Sequence, residues 1–227
     1  DAVSDRDFII DFISAAAVLF MHLTRLADEL VLWSSAEFGF VELPDAYCTG
    51  SSMMPQKKNP DVPELIRGKS GRIYGHLIAV LTLMKGLPLT YNRDLQEDKI
   101  PLFDTVDTVK ASLTLIRELV RELKVKKERM RSAAQEGFMN ATDLADYLAA
   151  RGVPFRSAHA LTGRIVRYCI ERDRRIEELP LPELQRFSPK IGSDVYRCLE
   201  VDAVVQRRKT AGGTAAVNVR RRLRELG

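Results

Sequence analysis

Cysteine is scarce. The 227 residues hold three, Cys48, Cys169 and Cys198, an odd number at wide spacing. That suits neither a disulfide framework nor a zinc site, and it points to a reducing, cytoplasmic setting. Apolar runs free of charge are short. None reaches the roughly 18 residues a membrane-spanning helix needs, so no membrane span is expected, and no signal peptide is visible. Segments that alternate at period two are few, which argues against sheet. Charge of one sign is lacking too: the net charge is +4 with a pI near 9.0. Basic residues sit mostly on amphipathic helices with carboxylates between them. A solvated surface, or an anionic small-molecule site, accounts for them better than nucleic acid does. The run "RRRLRE" at 220–225 lacks interleaved aromatics, so no nucleic-acid partner is expected.

What is present is helix. Phe8, Ile9, Phe12, Ile13, Ala16, Leu19, Phe20, Leu23, Leu26, Leu30 and Trp33 recur at a 3.6-residue period, predicting one helix of about 30 residues, or about 45 Å. So long a helix without a strict heptad indicates a bundle. The stripe is wide, and a helix apolar over most of its surface must be covered by something. A second helix is predicted from near Asp61 to Lys85, with Pro63 tolerated in its first turn. A third runs from Pro101 to about Leu123. From Lys124 the texture changes: "KVKKERMRS" reads as a charged connector. Shorter helices follow at about 141–150, 155–172, 193–206 and 213–226, with Thr142 or Asn140 capping the first of them. The chain is therefore expected to be all-α, with a long-helix bundle over 1–127 and a smaller helical domain over 128–227. It opens on Asp1, directly into a helical pattern, as a piece of a longer protein would.

Two loops carry the polar chemistry. The first, "TGSSMMPQKKNPD" at 49–61, lies in an unperiodic stretch over 39–60, and loops of that length inside a domain are often functional. Gly50 permits backbone geometry closed to other residues. Successive N–H groups, serine hydroxyls and the charges of Lys57 and Lys58 then form a nest for an anion. Asn59 supplies an amide or caps the helix after it, whose positive end lies beside the loop. A carboxylate or phosphate fits; so does a surface turn with incidental lysines. The second loop, "TYNRDLQEDK", gathers Tyr91, Asn92, Arg93, Gln96 and Lys99 in ten residues. It suits a polar substrate, or is a charged turn between helices.

The first of these loops resembles the signature loop of the fumarase/aspartase superfamily, G-S-S-x-M-P-x-K-x-N-P. Within it, Gln56 and Lys58 in "MPQKKNP" are similar to the argininosuccinate lyase family. Fumarases usually carry Gly and Val there, and adenylosuccinate lyases His and Arg. "LTYNRDLQEDK" resembles that family's substrate loop. "GVPFRSAH" at 152–159 and "GGTA" at 212–215 resemble its C-terminal domain, so the similarity covers essentially the whole chain.

The resemblance implies roles. Ser51 would be the catalytic base and Lys57 would lie near the developing negative charge. Glu64 would orient the family's catalytic histidine. Ser52, Asn59, Tyr91, Gln96 and Lys99 would contact substrate, and Arg6 falls in "SDRDF", a further segment like the family's. None of His22, His76 and His159 sits in a matching motif, so the acid would lie in an N-terminal half outside this sequence. The implied reaction cleaves argininosuccinate to fumarate and arginine by elimination, in arginine biosynthesis, with no metal or cofactor. The implied assembly is a homotetramer whose active sites are shared between subunits. Met53, Met54 and Pro55 would form the apolar side of a closing lid or pack on a neighbouring subunit. A sister lyase, such as one cleaving adenylosuccinate, and a non-catalytic helical assembly protein are the competing readings.

Overall fold

The computed structural model describes residues 3–50, 52–54 and 57–227. The chain divides into two compact units, Asp1–Lys127 and Glu128–Gly227.

The first unit is built on three long helices, α1 (Asp7–Ser34), α2 (Asp61–Met84) and α3 (Lys99–Glu122). Ile9 and Ile13 at the start of α1 share a cluster with Val80 near the end of α2, and Leu102 near the start of α3 packs on it. Farther along, Phe20, Leu23, Ala27 and Leu30 meet Ile66, Ile73, Ile116 and Leu119. The three helices therefore run up, down and up. Burying a side chain such as Phe20 contributes about 2–3 kcal/mol. Thr105, Thr108 and Ser112 are buried polar positions on α3. Thr105 Oγ1 lies 2.9 Å from Nδ1 of His76 on α2, and a short Arg72–Asp104 ion pair lies beside it.

Pro101, read as the start of the third helix, lies inside the first turn of α3, which begins at Lys99. The stretch over 39–60 is not wholly irregular. Strand β1 (Val41–Glu42) pairs antiparallel with β4 (Lys124–Val125), and β2 (Thr49–Gly50) pairs antiparallel with β3 (Lys58–Asn59). A 3₁₀ turn, Arg93–Asp98, occupies the second polar loop.

By length and composition α1 is apolar enough to cross a membrane, a property that a search for charge-free runs missed because Asp11 interrupts it. Its buried face lies in the bundle core, yet Phe8 is 66% exposed, and Phe12, Val18, Met21, Leu26 and Leu32 are exposed as well. The wide stripe is thus only half covered by this unit.

The second unit holds α4 (Lys127–Ala133), α5 (Ala141–Ala150), α6 (Phe155–Ile170), α7 (Leu181–Phe187), α8 (Val195–Leu199), α9 (Val201–Arg207) and α10 (Ala216–Leu226). Leu144, Leu148, Ile165, Cys169, Leu184, Ile191 and Val195 form its core. Gly152, at φ +77, ends α5, and Pro154 precedes α6. Three expectations are corrected. The segment read as a charged connector contains α4. The helix expected over 193–206 breaks at Glu200 into α8 and α9. Asn140 stands at the N-cap of α5 without capping it, because its amide donates to Glu177 and to the carbonyl of Leu199. Buried Asp143 accepts hydrogen bonds from Arg207 and Arg208 at 2.8 and 2.9 Å, which fixes the end of α9 to α5.

Candidate active site

The first polar loop is a hairpin set against the start of α2. Asp61 opens that helix, and its carboxylate accepts the Thr49 N–H at 2.6 Å. Thr49 pairs with Asn59, and Gly50 with Lys58. The Lys57 N–H donates to the Met54 carbonyl at 3.0 Å. Two options that the sequence left open are not used here. Gly50 has no positive φ, and a Cβ added to it would make only an ordinary contact, 3.9 Å from the Lys57 carbonyl oxygen. Its strand pairing asks for no special backbone angles. Asn59 does not cap α2 either; its amide reaches back to Thr49 Oγ1 at 3.4 Å. Sequence reasoning passed over Asp61 as a fastener. An aspartate directly after Pro60, at the first position of a helix, was the available signal.

The paired lysines divide. Lys58 makes an ion pair of 2.5 Å with Asp45, and that hydrogen bond raises its pKa above the ordinary lysine value. An exposed pair of this kind adds little to stability, but it sets the direction of the side chain. Lys57 is exposed and makes no ion pair among the described residues. Ser52 is exposed, as are Met53, at 89%, and Met54. Ser51, Pro55 and Gln56 lie outside the described residues. Glu64 is exposed in the first turn of α2, where a carboxylate also complements the helix dipole.

The second loop is ordered by its 3₁₀ turn. Gln96 Nε2 donates to the Tyr91 hydroxyl at 2.8 Å, so two of the expected substrate contacts meet each other. Lys99 Nζ donates to Asp98 Oδ1 at 2.6 Å, and Arg6 Nε donates to the other oxygen of the same carboxylate. Burial pushes the Asp98 carboxyl up, but the hydrogen bonds from Lys99 and Arg6 outweigh it and hold the group below its ordinary value. Asp98 was absent from the residues singled out in the sequence, and Arg6 had no assigned contact.

The remaining reactive groups sit elsewhere. His22 is exposed on α1, His76 is engaged with Thr105, and His159 lies against the Phe155 ring on α6. All three cysteines are free thiols, and burial pushes Cys169 up to about 11.

A long-helix triplet, entered at its second helix through a short lysine-bearing hairpin and at its third through a polar turn, is a fumarase/aspartase-type lyase fold. EDDS lyase, solved in complex with formate, is 29% identical, with a TM-score of 0.82 over 96% of this chain and 45% of its own. The class II fumarase of Schistosoma mansoni, at 18% identity, shares the fold with a TM-score of 0.70 over 88% of this chain and 39% of its own. Residues 1–75 match the family model described as Lyase, and residues 138–206 the model described as Argininosuccinate lyase C-terminal. The chain belongs to the argininosuccinate lyase family. It is 56% identical to the argininosuccinate lyase of Syntrophotalea carbinolica over 98% of this chain and 48% of that protein. It is 57% identical to that of Desulfatibacillum aliphaticivorans over 96% of this chain and 47% of that protein. The chain thus spans about half the length of the curated relatives it matches.

Proposed function

We infer that this chain supplies the hairpin and substrate-loop part of an enzyme that cleaves argininosuccinate to fumarate and arginine. The observation that carries the reading is the 56% identity over 98% of the chain, which takes in both polar loops. In this reading Ser51 removes the proton beside a substrate carboxylate. The dianion that results needs positive charge that is not already committed, and Lys57 has it. Lys58 is held by Asp45, whereas Lys57 stands exposed on the same hairpin. Asn59, Ser52, Tyr91, Gln96 and Lys99 hold substrate, and Glu64 orients a histidine from outside this chain. The formate bound to EDDS lyase agrees with a fold that receives carboxylates.

The exposed apolar faces of α1, with Ile78 on α2 and Phe103 on α3, support burial against further copies of the chain. A homotetramer in the cytoplasm, with each site shared between subunits, accounts for them. Arginine biosynthesis is the setting such a reaction serves.

Lys57→Met in the full-length protein is expected to lower kcat for fumarate release about 10²–10³-fold, the loss expected of one transition-state donor, with a smaller change in KM. Lys58→Met is expected to cost far less. Steady-state kinetics with argininosuccinate decide it. A raised KM with unchanged kcat in Lys57→Met would make that lysine a simple anchor.

A further inference from the structure

We propose that Asp98, resting on the reading above, is a positioning residue: it fixes the ammonium of Lys99 for an anionic group of the substrate. Asp98 stands at the N-cap of α3, where an aspartate ordinarily accepts a backbone N–H of the first turn and contributes about 1 kcal/mol. It makes no such bond. Both of its oxygens are committed elsewhere, one to Arg6 and one to Lys99. Arg6 comes from 92 residues earlier in the chain and is itself buried. A guanidinium stays protonated, so one side of the carboxylate is anchored permanently.

Asp98 is 2% exposed and Lys99 45%, so the ion triad runs from the interior outward and ends on the lysine. Two cations share one carboxylate, and the surplus positive charge emerges at Lys99. An ammonium has three N–H donors; Asp98 takes one and sets the direction of the other two. A free lysine side chain would lose up to about 2 kcal/mol of rotamer entropy on gripping a ligand. Here that ordering precedes binding, which favours affinity. A pair with Arg6 alone would satisfy a purely structural carboxylate. The bond to an exposed lysine is what a structural role leaves unexplained.

The test is steady-state fumarate release from argininosuccinate by the full-length protein, as a double-mutant cycle. Asp98→Asn is expected to raise KM about tenfold, equivalent to 1.4 kcal/mol, and to change kcat little. Lys99→Met is expected to raise KM at least as much. The double variant is expected to be no worse than Lys99→Met alone, because Asp98 acts through that lysine. Multiplying effects in the double variant would overturn the proposal while leaving Lys99 as a substrate contact. An unchanged KM in Lys99→Met would defeat the substrate-contact reading and the proposal with it. If loss of charge against Arg6 prevents folding of Asp98→Asn, Asp98→Glu keeps that charge and displaces the ammonium. Its KM is expected to rise while its melting temperature is kept, and a wild-type KM there would overturn the proposal.

Discussion

Full-length protein carrying Ser51→Ala is expected to release fumarate roughly 10²–10⁴-fold more slowly, the range a positioned base supplies, while still binding argininosuccinate. A serine hydroxyl is a poor base in water. It becomes competent only where a cation and backbone N–H groups favour the alkoxide and water is excluded. Of these, the hairpin carries the cations, Lys57 and Lys58. Gly50 is locked to Lys58 in the hairpin, and Lys58 is tied to Asp45. Exposed Lys57 follows on the other side of the loop. Ser52→Ala, next to it, is expected to change kcat much less. Binding is read separately from turnover, by calorimetry on the Ser51→Ala protein with argininosuccinate. A normal rate in Ser51→Ala beside a dead Ser52→Ala would move the base one residue along.

The second large effect concerns the 227-residue chain purified by itself. It is expected to release no measurable fumarate at any concentration. In the proposed reading Ser51 would supply the base, and each of the three histidines is engaged elsewhere or lies on an outer face. His76 is bonded to Thr105, His159 rests on Phe155, and His22 is on the outer surface of α1. Glu64, exposed at the start of α2, would in that reading need a histidine from outside this chain. Adding the part of the Syntrophotalea carbinolica relative that this chain does not match is expected to restore turnover. The chain alone should also self-associate, because the apolar outer face of α1 remains exposed. Light scattering is expected to give a mass well above 25.6 kDa. Fumarate from a chain of verified mass would show that the acid lies within it.

The long helices were legible because their burial is periodic. Ile9, Ile13, Ala16, Phe20, Leu23, Ala27 and Leu30, buried on α1, are spaced as a helix face must be, and most were already in the sequence stripe. Short elements were less legible. Helix α7 contains Pro182 and spans seven residues, too few to display a period, and α4 is mostly charged. A glycine at position 50 permits an unusual backbone, and only the fold shows that the strand pairing with Lys58 asks for none. In the site, the types of residue were visible and their partners were not. The sequence showed two adjacent lysines; only the fold, by bringing Asp45 to Lys58, distinguishes them. It showed Lys99 but not the Asp98–Arg6 pair behind it, since a contact across 92 residues leaves no local spacing to read.

The measurement that bears most directly on the reaction is substrate choice by the full-length protein. Argininosuccinate, adenylosuccinate and EDDS are offered separately, and fumarate is followed by absorbance, with the amine product identified by chromatography. Argininosuccinate is expected to yield fumarate and arginine in equal amounts, with the other two turned over poorly or not at all. Fumarate from adenylosuccinate or EDDS, with argininosuccinate left intact, would contradict the account.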